Sequence, residues 1–447
     1  MKKALELVFI PSPGRGHQVS MVEFAKLLVA RDDRFLITVL ITKFSFDTEL
    51  GAYTDSLAAS SASDRIKLVD LTRDGIGIYE TNPLVFMDLF SEYYKPHFKK
   101  TATELAHISS TTSPDSPRLV GFVVDMLMTT MIDVANELKV PTYVFFPSSA
   151  GDLGLMLHDK RQKEGSSTDE LVIPSFFNPV PISVLPGGVF NEASLAVGVK
   201  IARRIRQTKG VIINTFTELE THAIHSFPRV SESPLVYPVG PIIHADDDCS
   251  QFLSAGQYSD IIAWLDDQPP SSVVFLCFGS MGSFGGDQVK EIARGLEQSG
   301  VHFLWCLRQP PPEYTLGSPD TDPGEALPEG FLDRTAGRGK VISSWAPQAA
   351  VLSHQAVGGF VSHCGWNSIL ESLWFGVPVA TWPLEWEQQL NAFQMAKDNS
   401  FNFSMEELQS RRRLDCRDRG KDLSFDMNVI EEKENNIDEA RLDDYKI

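Results

Sequence analysis

The side chains best suited to chemistry in this sequence gather between Trp345 and Gln388, in the run WAPQAAVLSHQAVGGFVSHCGWNSILESLWFGVPVATWPLEWEQ. Trp345, Ala346 and Pro347 follow an apolar run at 340–344. The indole offers a flat face for a base to stack on, and Gln348 can bond to the edge of that base. A second apolar run, 356–362, leads through His363, Cys364 and Gly365 into a helix expected from about Asn367. The free N–H groups and positive dipole end of such a helix favour a diphosphate, and His363, Asn367 and Ser368 add side-chain donors. Glu371, one turn further on, can accept from ribose hydroxyls. After the apolar run 377–381, Glu387 and Gln388 can bond to hexose hydroxyls. Base, ribose, diphosphate and sugar are each provided for, so the pattern points to a nucleotide-sugar. Trp345 and Trp366 taken singly would be ordinary core aromatics, and only their place in this run gives them base-stacking and sugar-contact roles.

A second pair lies far away in sequence. His17 closes a glycine-containing loop, PSPGRGH, after the first apolar run, and Asp125 ends another buried run, FVVD. Ligands in open α/β sheets bind beyond the carboxyl ends of the strands, which brings both residues to one edge. An imidazole there suits a general base and a carboxylate can hold it. On the residues alone, a turn-capping His17 and a helix-capping Asp125 remain open. Gly14 and Gly16 do not begin a dinucleotide fingerprint, because Val19 occupies the third glycine position and no acidic residue ends the second strand. Gly279, Gly282, Gly285 and Gly286 surround Ser280 and either bring backbone N–H groups to phosphate or form a plain turn. Asp246, Asp247 and Asp248 read as a solvated acidic loop, away from any strand end, and no metal site is expected.

The run from Trp345 to Gln388, with PSPGRGH, FVVDM and FGSMGSFG, closely resembles plant secondary-product glycosyltransferases, the inverting uridine-diphosphate-dependent enzymes of glycosyltransferase family 1. The resemblance spans residues 5 to 397 and implies the GT-B fold, two Rossmann-like domains facing a cleft. It implies that His17 removes the acceptor hydroxyl proton while Asp125 orients it, in a metal-independent single displacement with inversion. Implied donor-binding residues are Ser280, Trp345, Ala346, Gln348, His363, Trp366, Asn367, Ser368, Glu371, Glu387 and Gln388. Gln388 at the last position implies UDP-glucose, a co-substrate, with no further cofactor. The acceptor implied is a small apolar plant metabolite, a flavonoid, other phenol or terpenoid. His17, Phe86, Phe90, Met126, Phe145 and Trp386 are the expected acceptor-binding residues. Glu385 and Trp386 depart from the family, which more often has an aromatic and a small residue there.

Positioning these groups requires two α/β halves. At 447 residues the chain exceeds what one core usually organises, and 43% hydrophobic content supplies real cores. Short apolar runs alternate with amphipathic stretches, the pattern of parallel sheets. Expected strands include 5–10, 35–41, 119–124, 142–146, 272–278 and 302–307, with helices at 18–30, 129–138 and 286–299; a helix opening is expected at 217–220. The boundaries expected are 1–242 for an acceptor-binding domain, 243–258 for a linker, 259–398 for a UDP-sugar-binding domain and 399–447 for an atypical tail. The tail is charged and lacks an amphipathic stripe. It keeps a second function open, a nucleotide-sugar-binding protein without transferase activity.

A formal net charge of −19 argues against a nucleic-acid or anionic-membrane partner. Five cysteines lack zinc spacing and read as reduced thiols. The N-terminal apolar run holds Glu6 and stops at Pro11, too short for a signal segment. A monomeric cytoplasmic protein is expected.

Overall fold

The structure is a computed structural model and describes residues 4–44, 65–73, 80, 82–110, 116–158, 169–229, 233–243, 255–308, 326–343 and 346–397. Trp345, the Asp246–Asp248 triplet, most of the expected linker and the expected tail 399–447 lie outside the described residues.

The first half carries β1 (Leu5–Ile10), α1 (Arg15–Arg31), β2 (Phe35–Ile41), β3 (Ile66–Asp70), α2 (Pro83–Ser110), β4 (Arg118–Asp125), a 3₁₀ turn (Met126–Met131), α3 (Ile132–Glu137), β5 (Thr142–Phe146) and α4 (Ala150–Leu157). It continues through β6 (Glu170–Leu171), β7 (Val180–Pro181), α5 (Glu192–Ile205), β8 (Gly210–Ile213), α6 (Thr221–Ser226) and β9 (Leu235–Pro238). The second half carries α7 (Ala255–Asp266), β10 (Val273–Cys277), α8 (Gly286–Ser299), β11 (His302–Cys306), α9 (Phe331–Arg334), β12 (Gly339–Ile342) and α10 (Gln348–Ser353). It ends with β13 (Val357–Ser362), α11 (Trp366–Phe375), β14 (Val379–Thr381) and α12 (Gln388–Ala396).

Two parallel sheets result, in the order β3-β2-β1-β4-β5-β8-β9 and β12-β11-β10-β13-β14. This is the GT-B architecture. Side chains alternate across each strand, so a sheet covered on both faces is apolar throughout. Val8, Ile10, Phe122, Val124, Val144 and Phe146 fill one face of the first sheet, while Leu7, Phe9, Val123, Tyr143 and Phe145 fill the other. Phe275 stacks on Phe360 between β10 and β13, with centroids 5.2 Å apart.

Both sheets reverse direction at a switch point, between β1 and β4 in the first and between β10 and β13 in the second. There the connections leave to opposite sides and open a crevice beyond the strand ends.

Several boundaries differ from the expectations. The first helix starts at Arg15, so His17 sits in its first turn and does not end the loop. The expected helix 129–138 is a 3₁₀ turn followed by the short α3, because Asp125 caps the turn through Leu127 N–H. Residues 217–220 precede α6, since Glu220 turns its carboxylate to a different helix. The linker expected through 258 gives way to α7 from Ala255.

Candidate active site

His17 and Asp125 stand on either side of the first switch point, one just beyond β1 and the other at the last residue of β4. The His17 Nδ1 and Asp125 Oδ2 atoms are 2.7 Å apart. Asp125 is fully buried, and the imidazole keeps 28% exposure. A carboxylate can only accept, so Nδ1 carries the hydrogen and Nε2 keeps its lone pair for the cavity. Burial pushes the His17 imidazole down, but the charge and hydrogen bond of Asp125, with the charge of Glu387, outweigh it and leave its pKa raised.

At the second switch point the loops after β10 and β13 press together. A methyl group at Gly279 would stand 2.5 Å from His363 Nε2, and one at Gly365 would stand equally close. Gly279 also has φ +76°, a conformation costly for any side chain. The His363 ring is thus fixed between two glycines. Its Nδ1 is buried and has no hydrogen-bond partner among the described residues, and burial pushes its pKa down to about 4. It therefore offers a neutral N–H and not a charge. Gly365 caps α11 without a side-chain bond, which leaves the helix N–H groups open at the place expected to meet a diphosphate.

The two crevices meet in a cavity of about 2280 Å³. His17, Met126, Ser280, His363, Glu387 and Gln388 are among its lining residues. That volume exceeds an ordinary small-molecule pocket and leaves room for two substrates. Glu387 is partly buried, and burial raises its carboxyl above the ordinary carboxylate range. Gln388 Oε1 accepts from the backbone N–H groups of Leu384 and Glu385, both at 2.9 Å. Ser280 is exposed on the cavity wall, and its carbonyl accepts from Arg308.

The remaining expected donor residues divide into two groups. Gln348 Nε2 donates to Ser368 Oγ at 2.8 Å and to Glu371 Oε2 at 2.7 Å, so these three form one polar cluster outside the cavity lining. Ala346 is buried in the core beneath them. Asn367 and Trp366 require correction. The indole of Trp366 is 2% exposed and its N–H donates to the Asn214 carbonyl at 2.7 Å, so it cannot present a face to a sugar. Asn367 Nδ2 donates to the Gly16 carbonyl at 3.1 Å, holding the start of α11 against the start of α1 instead of pointing at phosphate.

Two acceptor expectations also fail. Phe90 and Phe145 are fully buried, Phe90 among Tyr94 and Phe44 and Phe145 stacked on Phe24, because strand and helix core positions claim their rings. Phe86 packs at the edge of that core. Met126 and Trp386 do line the cavity.

Residues missed in the sequence form a buried polar seam between the halves. Glu220 accepts from the N–H groups of Ala150 and Gly151 at the start of α4, at 2.9 and 3.1 Å, and from Gln394 Nε2 of α12 at 2.8 Å. Asn391 of α12 donates to the Cys364 carbonyl at 3.0 Å and accepts from Ser149 at 3.2 Å. The only sequence signal was the count of polar residues in QLNAFQMAK, too many for a purely apolar docking face.

The family profile described as "UDP-glucoronosyl and UDP-glucosyl transferase" matches residues 255–414. The chain is 51% identical over 414 residues to a protein of Fragaria ananassa named putative UDP-glucose flavonoid 3-O-glucosyltransferase 3, covering 89% of this chain and 85% of that one. It is 49% identical over 407 residues to UDP-glycosyltransferase 71K1 of Malus domestica, covering 89% and 84%. Among solved structures it is similar to Medicago truncatula UGT71G1 complexed with UDP-glucose, with TM-score 0.77, 37% identity and coverage of 97% and 93%. A transferase from Siraitia grosvenorii in complex with UDP gives TM-score 0.75 at 41% identity, covering 92% and 91%.

Proposed function

The chain belongs to the UDP-glucoronosyl and UDP-glucosyl transferase family and is a UDP-glycosyltransferase, and from that premise we propose that it moves glucose from UDP-glucose to a hydroxyl of a flavonoid or related plant phenol. The observation that carries the chemistry is the His17–Asp125 pair, 2.7 Å apart at the cavity. His17 Nε2 takes the proton of the acceptor hydroxyl as that oxygen attacks the anomeric carbon. The bond from the anomeric carbon to the β-phosphate oxygen breaks with inversion, and UDP leaves as an anion. Asp125 stabilises the imidazolium formed. The uncapped start of α11 and the His363 N–H face the leaving diphosphate as dipoles fixed beforehand, without a metal.

Glu387 and Gln388 hold the hexose, and the base and ribose reach past the cavity lining to the cluster of Gln348 and Glu371. The names of the Fragaria relatives, both flavonoid 3-O-glucosyltransferases, support glucose and a flavonoid. The first half takes the acceptor and the second the donor. The enzyme works as a monomer in the cytoplasm; no helix among the described residues is long and apolar enough to cross a membrane.

Incubation with UDP-glucose and a panel of phenols, with mass spectrometry of the products, tests this reading. Glucoside formation, retained after a chelator and weaker with UDP-galactose, supports it. Donor binding without transfer to any acceptor would favour a nucleotide-sugar-binding protein.

A further inference from the structure

Trp386 combines three observations that the proposed chemistry does not use. It lines the cavity, it is 45% exposed, and its backbone lies in the left-handed region at φ +59°. A bulky side chain in that region is unusual, and such a conformation persists only where the surroundings impose it. The surroundings here do so. Gln388 Oε1 holds the N–H groups of Leu384 and Glu385, Gln388 N–H donates to the Glu385 carbonyl at 3.2 Å, and Gln389 Nε2 donates to the Leu384 carbonyl at 3.2 Å. The turn is closed on both sides of Trp386, and it fixes the backbone from which an exposed indole projects at the cavity wall.

We infer that Trp386 is an aromatic platform on a fixed turn that selects flat, conjugated phenols over puckered ones; this rests on the reading of the enzyme as a phenol glucosyltransferase. A ring bound against an indole gains from offset stacking only if it can lie parallel to it. The closed turn holds the Trp386 backbone in place, so the indole can rotate about its side-chain bonds but cannot shift bodily to follow a bent ligand. Gln388, assigned to the hexose, anchors the same turn, so the stacking face and the sugar-binding amide stand two residues apart on one rigid unit. Met126 and Leu127 add apolar, non-aromatic lining, and Phe278 and Phe284 also line the cavity, but Trp386 is the aromatic carried on the same turn as the sugar-binding amide.

Apigenin and naringenin differ only in the double bond that flattens the central ring, so they isolate planarity. The ratio of kcat/KM for apigenin over naringenin is expected to be roughly 2- to 12-fold in the wild type, the span of an aromatic pair. Trp386→Leu should bring the ratio close to one, and Trp386→Phe should keep most of it. A wild-type ratio near one, or a ratio that survives the leucine substitution, would overturn the platform. If neither flavonoid is glucosylated, the activity reading fails instead. Calorimetric Kd values for the two flavonoids in the presence of UDP then decide the platform by the same ratio and the same two variants.

Discussion

Asn367 Nδ2 donates to the carbonyl of Gly16 at 3.1 Å, across 351 positions of sequence. The bond joins the first turn of the proposed donor helix to the residue before the proposed base. Asn214 and Ser20 both approach Asn367 Oδ1 at 3.4 Å, so the amide is held from two sides. A methyl group at Gly16 would stand 3.2 Å from the same amide nitrogen, which shows how closely the two helix starts approach.

Asn367→Ala should therefore loosen the alignment of donor and base more than it weakens donor binding. A partly exposed hydrogen bond of this kind is worth about 1 kcal/mol, so kcat should fall by roughly 5-fold with a smaller change in the KM for UDP-glucose. Steady-state kinetics with varied donor check this. A loss confined to donor KM would return Asn367 to the phosphate.

His17→Ala should reduce transfer by about 100-fold or more if general base catalysis carries that share of the barrier. Because the His17 pKa is raised, the acid limb of kcat/KM should lie above pH 6.5, the ordinary imidazole value, with activity rising as the proton is lost. Glu387→Gln removes one of the charges that raise it and should move that limb to lower pH. The sign for stability is opposite. Protonated His17 favours the folded state, so its contribution is complete below pH 6.5 and is lost as pH rises through the raised folded value. Profiles of rate and of thermal melting against pH test both directions.

His363 behaves in the other sense. Its folded pKa of about 4 lies below the ordinary 6.5, so the unfolded chain binds the proton first. Its contribution to stability should fall away between pH 6.5 and about 4. Replacing it with Asn should flatten that acid loss in a denaturant titration series. Gly365→Ala, which puts a methyl group 2.5 Å from the ring, should displace His363 and lower kcat without altering the fold.

At position 386, glycine should be better tolerated than alanine. Both remove the indole, and only alanine keeps a Cβ in the left-handed region. The Trp386→Gly variant should exceed Trp386→Ala in stability by about 1 kcal/mol. Paired chemical denaturation curves measure it.

Glu220→Ala should be among the most destabilising single changes. It leaves two buried N–H groups and Gln394 without their acceptor, at a cost of about 3 kcal/mol. Its effect should show in the denaturation midpoint before it shows in substrate KM.

Much of the site was legible because strand ends are legible. His17, Asp125, Ser280 and His363 each follow an apolar run, and parallel sheets send such residues to one edge. Phe90 and Phe145 were misplaced for a related reason. An aromatic in an apolar run looks the same whether it faces a cavity or a core, and only the opposing layer decides. Trp366, Asn367, Glu220 and Gln394 were illegible as partners. Local periodicity reports that a residue is buried but not which group, 150 or 350 positions away, completes its hydrogen bond.

Helix α12 follows the second sheet in the chain, yet Gln394 reaches Glu220, Leu390 packs with Leu155 and Phe176, and Phe393 lies beside Phe176. Sequence order and structural allegiance therefore part company at Gln388. A chimera assembled by exchanging halves at the linker would graft this helix onto a foreign host surface, mismatching both its polar contacts and its apolar footing. Moving α12 together with the first half would keep that surface native, but would separate Gln388 from the turn it anchors. No cut within α12 separates the halves cleanly either, because beyond Leu390 the helix still bonds through Asn391 to the Cys364 carbonyl and packs Ala392 with Trp366 and Ile369, so it is held by both hosts at once.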